Sequence, residues 1–358
     1  MDNLNNNKKR NKDNLNDTES IDVNDAPSKK FKMHEDGVSI STLKNMIQTN
    51  ESLSSTQSKA EDIIRKQETV LVRNDEDDIQ FSHIRYFPDE PKIDLLKVDF
   101  KFNSDNFYNT NTFPRGTLTI INVKNFMKSS NMHEYPRLGT DVDAESLCDL
   151  FLKLGFKIDR FNNPKSTDVL NILKQAANED YSLMSCCVVA VLTHGKEGEI
   201  FCTNDTLNIS EITNIFCTKA LAGKPKLFLI QACRGTEYME SLDKVDGLGT
   251  GLSNKANVLD LPVESDFLYA YSTVLGYYSW RNEELGSWFV KAVVSVFCDY
   301  AHKMDVVRLL TRVNEVLSEK TSNTRDIRKN NKKQIGSIIS QLRKELFLPP
   351  IYGPMEPL

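Results

Sequence analysis

The chain has 358 residues, enough to bury a sizeable core and too many for a scaffold held mainly by disulfides. Its formal charge of -5 supplies no overall positive field for nucleic acid or an anionic membrane. Seven cysteines, an odd number scattered from Cys148 to Cys298, point to free thiols in a reducing compartment.

In chain order, the first 80 residues hold one aromatic, Phe31, and no cysteine, while Asn, Asp, Ser and Lys dominate. Such a segment buries too little apolar area to order itself, so residues 1–112 are expected to be a largely disordered leader. A brief helical pattern around Ile63, Ile64, Val70 and Leu71 is too short for a folded adaptor. The N-terminus has no apolar signal core, and no stretch approaches the length of a membrane span, so a cytoplasmic location is expected. Lys8-Lys9-Arg10 and Lys29-Lys30-Phe31-Lys32 could serve nuclear entry, although solvated charge runs are the commoner case.

From Gly116 the texture changes. Leu118 to Val123 reads as a buried strand and Thr140 to Phe156 as a helix through Leu147, Leu150, Phe151 and Leu154. A helix Ser166 to Ala177, a strand Cys187 to Thr193, a helix near Ser210 to Phe216 and a strand Lys226 to Gln231 continue the alternation. Such alternation builds an α/β sheet covered on both faces. Between Gly235 and Leu261 the pattern stops, and an exposed linker over about 236–261 is expected. Order resumes with a strand Phe267 to Tyr271, helices Ser287 to His302 and Asp305 to Leu317, and an apolar stretch Ile335 to Leu348.

Two strand ends carry reactive side chains. Lys226 to Gln231 runs into Gln231-Ala232-Cys233-Arg234-Gly235, and Cys187 to Thr193 ends at His194-Gly195. Open α/β sheets place ligands at these carboxyl ends. A free thiol is only a few per cent ionised at neutral pH, so a neighbouring imidazole is what turns Cys233 into a nucleophile. Gly195 leaves its backbone N–H open, and with that of Cys233 it could form an oxyanion hole, each donor being worth roughly 3 kcal/mol in a transition state.

The pentapeptide Gln-Ala-Cys-Arg-Gly with an upstream His-Gly resembles the caspases. So do Arg137-Leu138-Gly139-Thr140-Asp141-Val142-Asp143-Ala144, Pro262 to Ala270, and Tyr278-Ser279-Trp280-Arg281-Asn282. The resemblance runs from about Gly116 to the C-terminus and is strongest to the executioner group. It implies a three-layer fold with a central, mostly parallel six-stranded sheet flanked by helices, dimerising through an edge strand, for which Ile335 to Ile339 is the candidate.

It further implies an endopeptidase cutting after aspartate, with Cys233 as nucleophile, His194 as proton-transfer partner and Gly195 in the oxyanion hole. Arg137, Gln231 and Arg281 would hold the aspartate side chain, and Ser279 and Arg281 backbone groups would pair with the substrate strand. Tyr278 and Trp280 would flank the next side chain upstream, with Trp288 and Asn282 near the one beyond. Thr324, Ile327 and Lys329 stand where executioner caspases carry aromatics, so the outer preferences are open.

The same resemblance implies a zymogen cut after Asp246, before Gly247, into a large piece of residues 113–246 and a small piece of residues 247–358. Asp25 and Asp78 offer similar sites in the leader. Implied partners are aspartate-bearing protein substrates, an upstream activating caspase, inhibitor proteins and a second copy of the large–small pair. No cofactor, metal, nucleic acid or membrane is expected. The glycines Gly247, Gly249 and Gly251 lack the strand, helix and Lys-Ser/Thr of a phosphate loop, and no Cys-x-x-Cys pair suggests zinc. A catalytically silent regulator on the same fold and a platform-activated initiator are the alternatives.

Overall fold

The computed structural model describes residues 67–89, 105–239 and 265–351. In chain order its strands and helices are β1 (Gln67–Asn74), β2 (Gln80–Tyr86), β3 (Gly116–Asn122), α1 (Thr140–Lys153), β4 (Phe156–Asn162), α2 (Ser166–Ala177) and β5 (Cys186–Leu192). A small three-stranded sheet follows, β6 (Gly195–Lys196), β7 (Glu199–Phe201) and β8 (Thr206–Asn208), then α3 (Ile209–Asn214) and β9 (Lys226–Gln231). The remainder is β10 (Phe267–Tyr271), the hairpin β11 (Arg281–Asn282) and β12 (Gly286–Ser287), α4 (Trp288–Tyr300), α5 (Val306–Glu319) and β13 (Ser337–Ser340).

The main sheet runs β1-β2-β4-β3-β5-β9-β10-β13. Its middle five strands are parallel, and β13 closes one edge antiparallel to β10. On β5, Val188, Ala190 and Leu192 enter one core with α1, α4 and α5, while Cys187, Val189 and Val191 enter a second core with α2. Two-residue periodicity sends successive side chains to opposite faces, so a strand buried on both must be apolar throughout. Ser287 caps α4 by accepting from the Val290 N–H, and Asp305 caps α5 by accepting from Val307 and Arg308.

The six expected strands are present, including β4, which the helical reading through Phe156 concealed. Two more come from the stretch assigned to the leader. The β1–β2 hairpin pairs antiparallel with β4, and Ile79, Phe81 and Tyr86 are buried. Its anchor is Asp159 on β4, whose Oδ1 lies 2.7 Å from His83 Nε2 and accepts from Arg85 Nε at 2.7 Å. Burial pushes this carboxyl upward, but the His83 and Arg85 hydrogen bonds and the Lys157 charge outweigh it and hold the group below its usual range. His83 also stacks on Phe161, ring centroids 4.0 Å apart. The boundary of the leader therefore moves: composition hid a hairpin whose partner, β4, lies far along the chain.

This hairpin bears on one expected leader cut. Asp78 sits in the β1–β2 turn at φ 58°, where Asp75 N–H donates to Ile79 O and Asp78 N–H to Asp75 O. Proteases bind their substrates extended, and Ile79 is buried. Asp25 and the Asp246–Gly247 bond lie outside the described residues. The Asp78–Ile79 bond should stay intact when the folded chain meets an active caspase and should become cleavable in denaturant, as read by mass spectrometry of the fragments.

Candidate active site

The chain passes from β3 to β4 on one side, then returns to add β5 and β9 on the other, so the sheet's switch point lies between β3 and β5. Crevices form at the carboxyl ends of strands at such a point. Asn122, Leu192 and Gln231 are the terminal residues of β3, β5 and β9 and share one row of the register. His194 and Cys233 each follow two residues beyond that row, which brings them to the same rim. The close approach is visible at Gly195, where a Cβ would stand 2.5 Å from the Cys233 carbonyl oxygen and 2.9 Å from Ala232 Cβ. Any side chain there would force the two strand ends apart.

His194 is held from one side. Its Nε2 lies 2.9 Å from the Tyr135 carbonyl oxygen, and Phe126 packs against the ring at 5.3 Å between centroids. A carbonyl offers only lone pairs, so Nε2 carries the hydrogen and the neutral ring keeps its basic lone pair on Nδ1. Burial lowers the imidazole well below its ordinary value, and the charges of Arg137 and Arg281 lower it further. Burial raises the Cys233 thiol, opposed by the Ser279 N–H, 3.5 Å from Sγ, and by the same two arginines. The resting pair is therefore a neutral thiol beside a neutral imidazole.

Two cations act on this pair. Arg137 is fully buried; its Nη1 donates to Val123 O at 3.1 Å and to Thr140 Oγ1 at 2.6 Å. Its Nε and Nη2 meet no acceptor among the described residues. Arg281, on β11, donates from Nε to Leu138 O at 2.8 Å. Burial depresses both guanidiniums, and the Arg281 charge depresses Arg137 further. Gly139, at φ 82°, permits the approach of the two segments, since a Cβ there would strike Asn282 O at 2.4 Å.

Gln231 donates from Nε2 to Ser279 Oγ at 2.9 Å, and its Oε1 has no donor among the described residues. Tyr278 and Trp280 flank Ser279 in the chain, and Trp280 and Trp288 lie 5.8 Å apart, both buried in the core. Asn282 is committed to its own turn, its Oδ1 accepting from Glu284 and Leu285 N–H. In the loop beyond α5, Ile327 is 89% exposed while Lys329 is buried with its ammonium 4.0 Å from Asp326.

Several residues at the site were not singled out by the sequence. Tyr135 and Phe126 have no motif of their own. Asp143, buried on α1, accepts from Ser287 N–H at 2.7 Å; burial pushes its carboxyl up to about 6, against the pull of Ser287 and of Arg137 and Arg281. Among the negative groups acting on the two arginines it has the largest effect. Gln334 accepts from Trp280 N–H at 2.8 Å and donates to Ser272 O at 2.7 Å, fixing the segment that carries Ser279. At the start of the expected linker, Thr236 and Glu237 are exposed, while Tyr238 and Met239 are half-buried. Glu237 exchanges backbone hydrogen bonds with Gly276 and Tyr278, and Tyr238 stacks on Tyr278 at 4.6 Å and 10°.

Residues 115–347 match the family described as Caspase domain. The chain is 39% identical over 280 residues to caspase-3 of Mesocricetus auratus, covering 77% of this chain and 99% of that protein. It is 42% identical over 254 residues to caspase-3 of Mus musculus, covering 70% and 90% respectively. To caspase-7 of Gallus gallus it is 43% identical over 267 residues, covering 72% and 85%.

The neutral resting pair has a kinetic signature. Iodoacetamide should alkylate Cys233 at a rate that keeps climbing with pH past the ordinary thiol value, because the thiolate forms late. A rate already level below pH 7 would indicate a preformed thiolate–imidazolium pair instead.

Proposed function

The chain belongs to the caspase family, as an executioner-type cysteine endopeptidase, and from that premise we propose that it cuts protein substrates after aspartate in programmed cell death, following cleavage of its own linker. The observation that carries the specificity is Arg137: a fully buried guanidinium with two N–H-bearing nitrogens lacking acceptors. Burying such donors without partners is costly, and a planar carboxylate is the group that matches them in charge and geometry. Arg281 adds a second cation. Gln231, with its amide turned end for end, would donate to the same carboxylate while its oxygen accepts from the Ser279 hydroxyl.

With aspartate seated there, the carbonyl before the cut lies over Cys233. The thiol proton passes to His194 Nδ1 as Sγ forms its bond to the carbonyl carbon, and the carbonyl π pair moves onto oxygen. The N–H groups of Gly195 and Cys233 receive that oxyanion. Collapse restores the carbonyl, breaks the C–N bond and sends the proton from His194 to the departing amine. Water then repeats the sequence on the thioester: it gives a proton to His194, attacks the carbon and releases the thiolate, which recovers its proton. Backbone groups of Ser279 and Arg281 align the substrate strand. Tyr278, Trp280, Trp288 and Asn282 lie along its upstream side.

The proposed cut after Asp246 divides a large piece, residues 113–246, from a small piece, residues 247–358. Dimerisation is proposed through β13, where Ile338 is half-buried and Ile339 is 44% exposed at the sheet edge. Among the described residues no helix is long and apolar enough to cross a membrane, and a cytoplasmic location is part of the proposal. Proteins bearing aspartate, an activating caspase and inhibitor proteins are the proposed partners.

Two outcomes are expected. Treating the full chain with an active caspase should create one new N-terminus in the linker, at Gly247, while the Asp246→Ala variant stays in one piece. In the two-piece enzyme, Arg137→Ala should lower kcat/KM on peptides ending in aspartate by about a hundredfold or more, the usual consequence of removing one side of a buried charge pair. Cys233→Ala should abolish turnover; equal cutting after asparagine would end the aspartate assignment.

A further inference from the structure

We infer that the β1–β2 hairpin, which precedes the region matching the family, is a working part of the enzyme, and that Asp77 in its turn is a positioning residue for His194 and Arg137. The match begins at residue 115, whereas the hairpin ends at Tyr86.

The loop from Val123 to Arg137 carries both sides of the site. Phe126 packs on the His194 ring, the Tyr135 carbonyl fixes its tautomer, and Arg137 closes the loop by donating its N–H to Lys124 O. Such a loop needs external ties along its length to hold one geometry. One is the Met127 N–H, which donates to Thr203 O at 2.8 Å. The neighbouring tie comes from the hairpin: Asp77 Oδ2 accepts the Lys128 N–H at 2.7 Å. The Lys128 ammonium, 3.7 Å from Asp77 and mostly exposed, adds little, so the backbone bond is what matters.

A second route joins the same parts. Asn163, following β4, donates from Nδ2 to Gln80 O in the hairpin at 3.0 Å, while its Oδ1 accepts from Lys124 and Asn125 N–H at 2.9 and 3.0 Å. The hairpin is seated for this task by Asp75 with Lys165, and by Arg73 with Asp168 on α2. Turn and loop thus form one hydrogen-bonded layer beside the site. Losing the Asp77 acceptor leaves the middle of the loop held at Met127 alone, and small displacements of reacting groups have large rate consequences.

The inference rests on the proposed roles of His194 and Arg137, and the test separates the two. In the full chain cut only in its linker, Asp77→Ala is expected to lower kcat about three- to tenfold with KM within about twofold. Asp77→Asn, whose amide oxygen can accept the same N–H, should keep kcat near the parent value. Leu71→Ala, at an exposed position of β1 that takes no part in seating the turn, should leave kcat unchanged. Hydrogen exchange over residues 124–137 should quicken in Asp77→Ala alone, a readout that needs no turnover. Faster exchange with an unaltered kcat would overturn the positioning role, as would equal losses in the Ala and Asn variants. If the parent enzyme cuts no aspartyl peptide, the proposed activity fails; unchanged exchange in Asp77→Ala removes the brace whether or not the enzyme cuts.

Discussion

Two arginines beside a thiol, Arg137 fully buried and Arg281 half-buried, set the terms for everything else in this molecule. A buried guanidinium is expensive, and among the described residues the hydrogen-bond acceptors of Arg137 are neutral oxygens of Val123 and Thr140. The carboxylates of Asp143 and Asp141 act on it at a distance, and Asp143 also ties the β11–β12 hairpin to α1. Burial, and after it the charges of the two arginines, lowers the His194 imidazole, so the proposed carboxylate site and the proposed catalytic pair are electrostatically linked.

Much of this was legible in the residues. Strands β9 and β10 coincide with their apolar runs, because a strand buried on both faces leaves no polar position to blur its ends. The reactive pair was legible because Cys233 and His194 close two such runs, and neighbouring parallel strands bring their ends to one rim. What failed to show is instructive. β4 carries Asp159 and Arg160, buried charges that His83, Arg85 and Glu145 come to meet from elsewhere in the chain. No local pattern announces a charge whose partner is 74 residues away. The β1–β2 hairpin was concealed for the same reason.

The supporting residues of the site were equally silent. Tyr135 contributes a backbone carbonyl, which any residue could supply, so its identity carries no signal. Gln334 and Asn163 act through amides that bridge backbone groups of distant segments, and isolated amides in a polar chain are unremarked. Tyr238 lay in a stretch whose glycines and charges read as linker, yet its ring packs on Tyr278. That Cys233 and His194 meet at one rim could be read from the strand ends; the means of holding them still could not.

The parallel ladder between β9 and β10 bears on the proposed linker cut. Phe267 to Tyr271 pair residue by residue with Lys226 to Ile230, and Leu227, Leu229, Leu268 and Ala270 share one core. Any scission between Gln231 and Phe267 therefore falls between two strands already zipped together. The halves have no reason to drift apart; the new ends gain freedom while the sheet stays whole. Breaking one peptide bond here changes what the termini can reach and leaves the architecture standing, so a proteolytic event can act as a durable signal and not as the first step of decay.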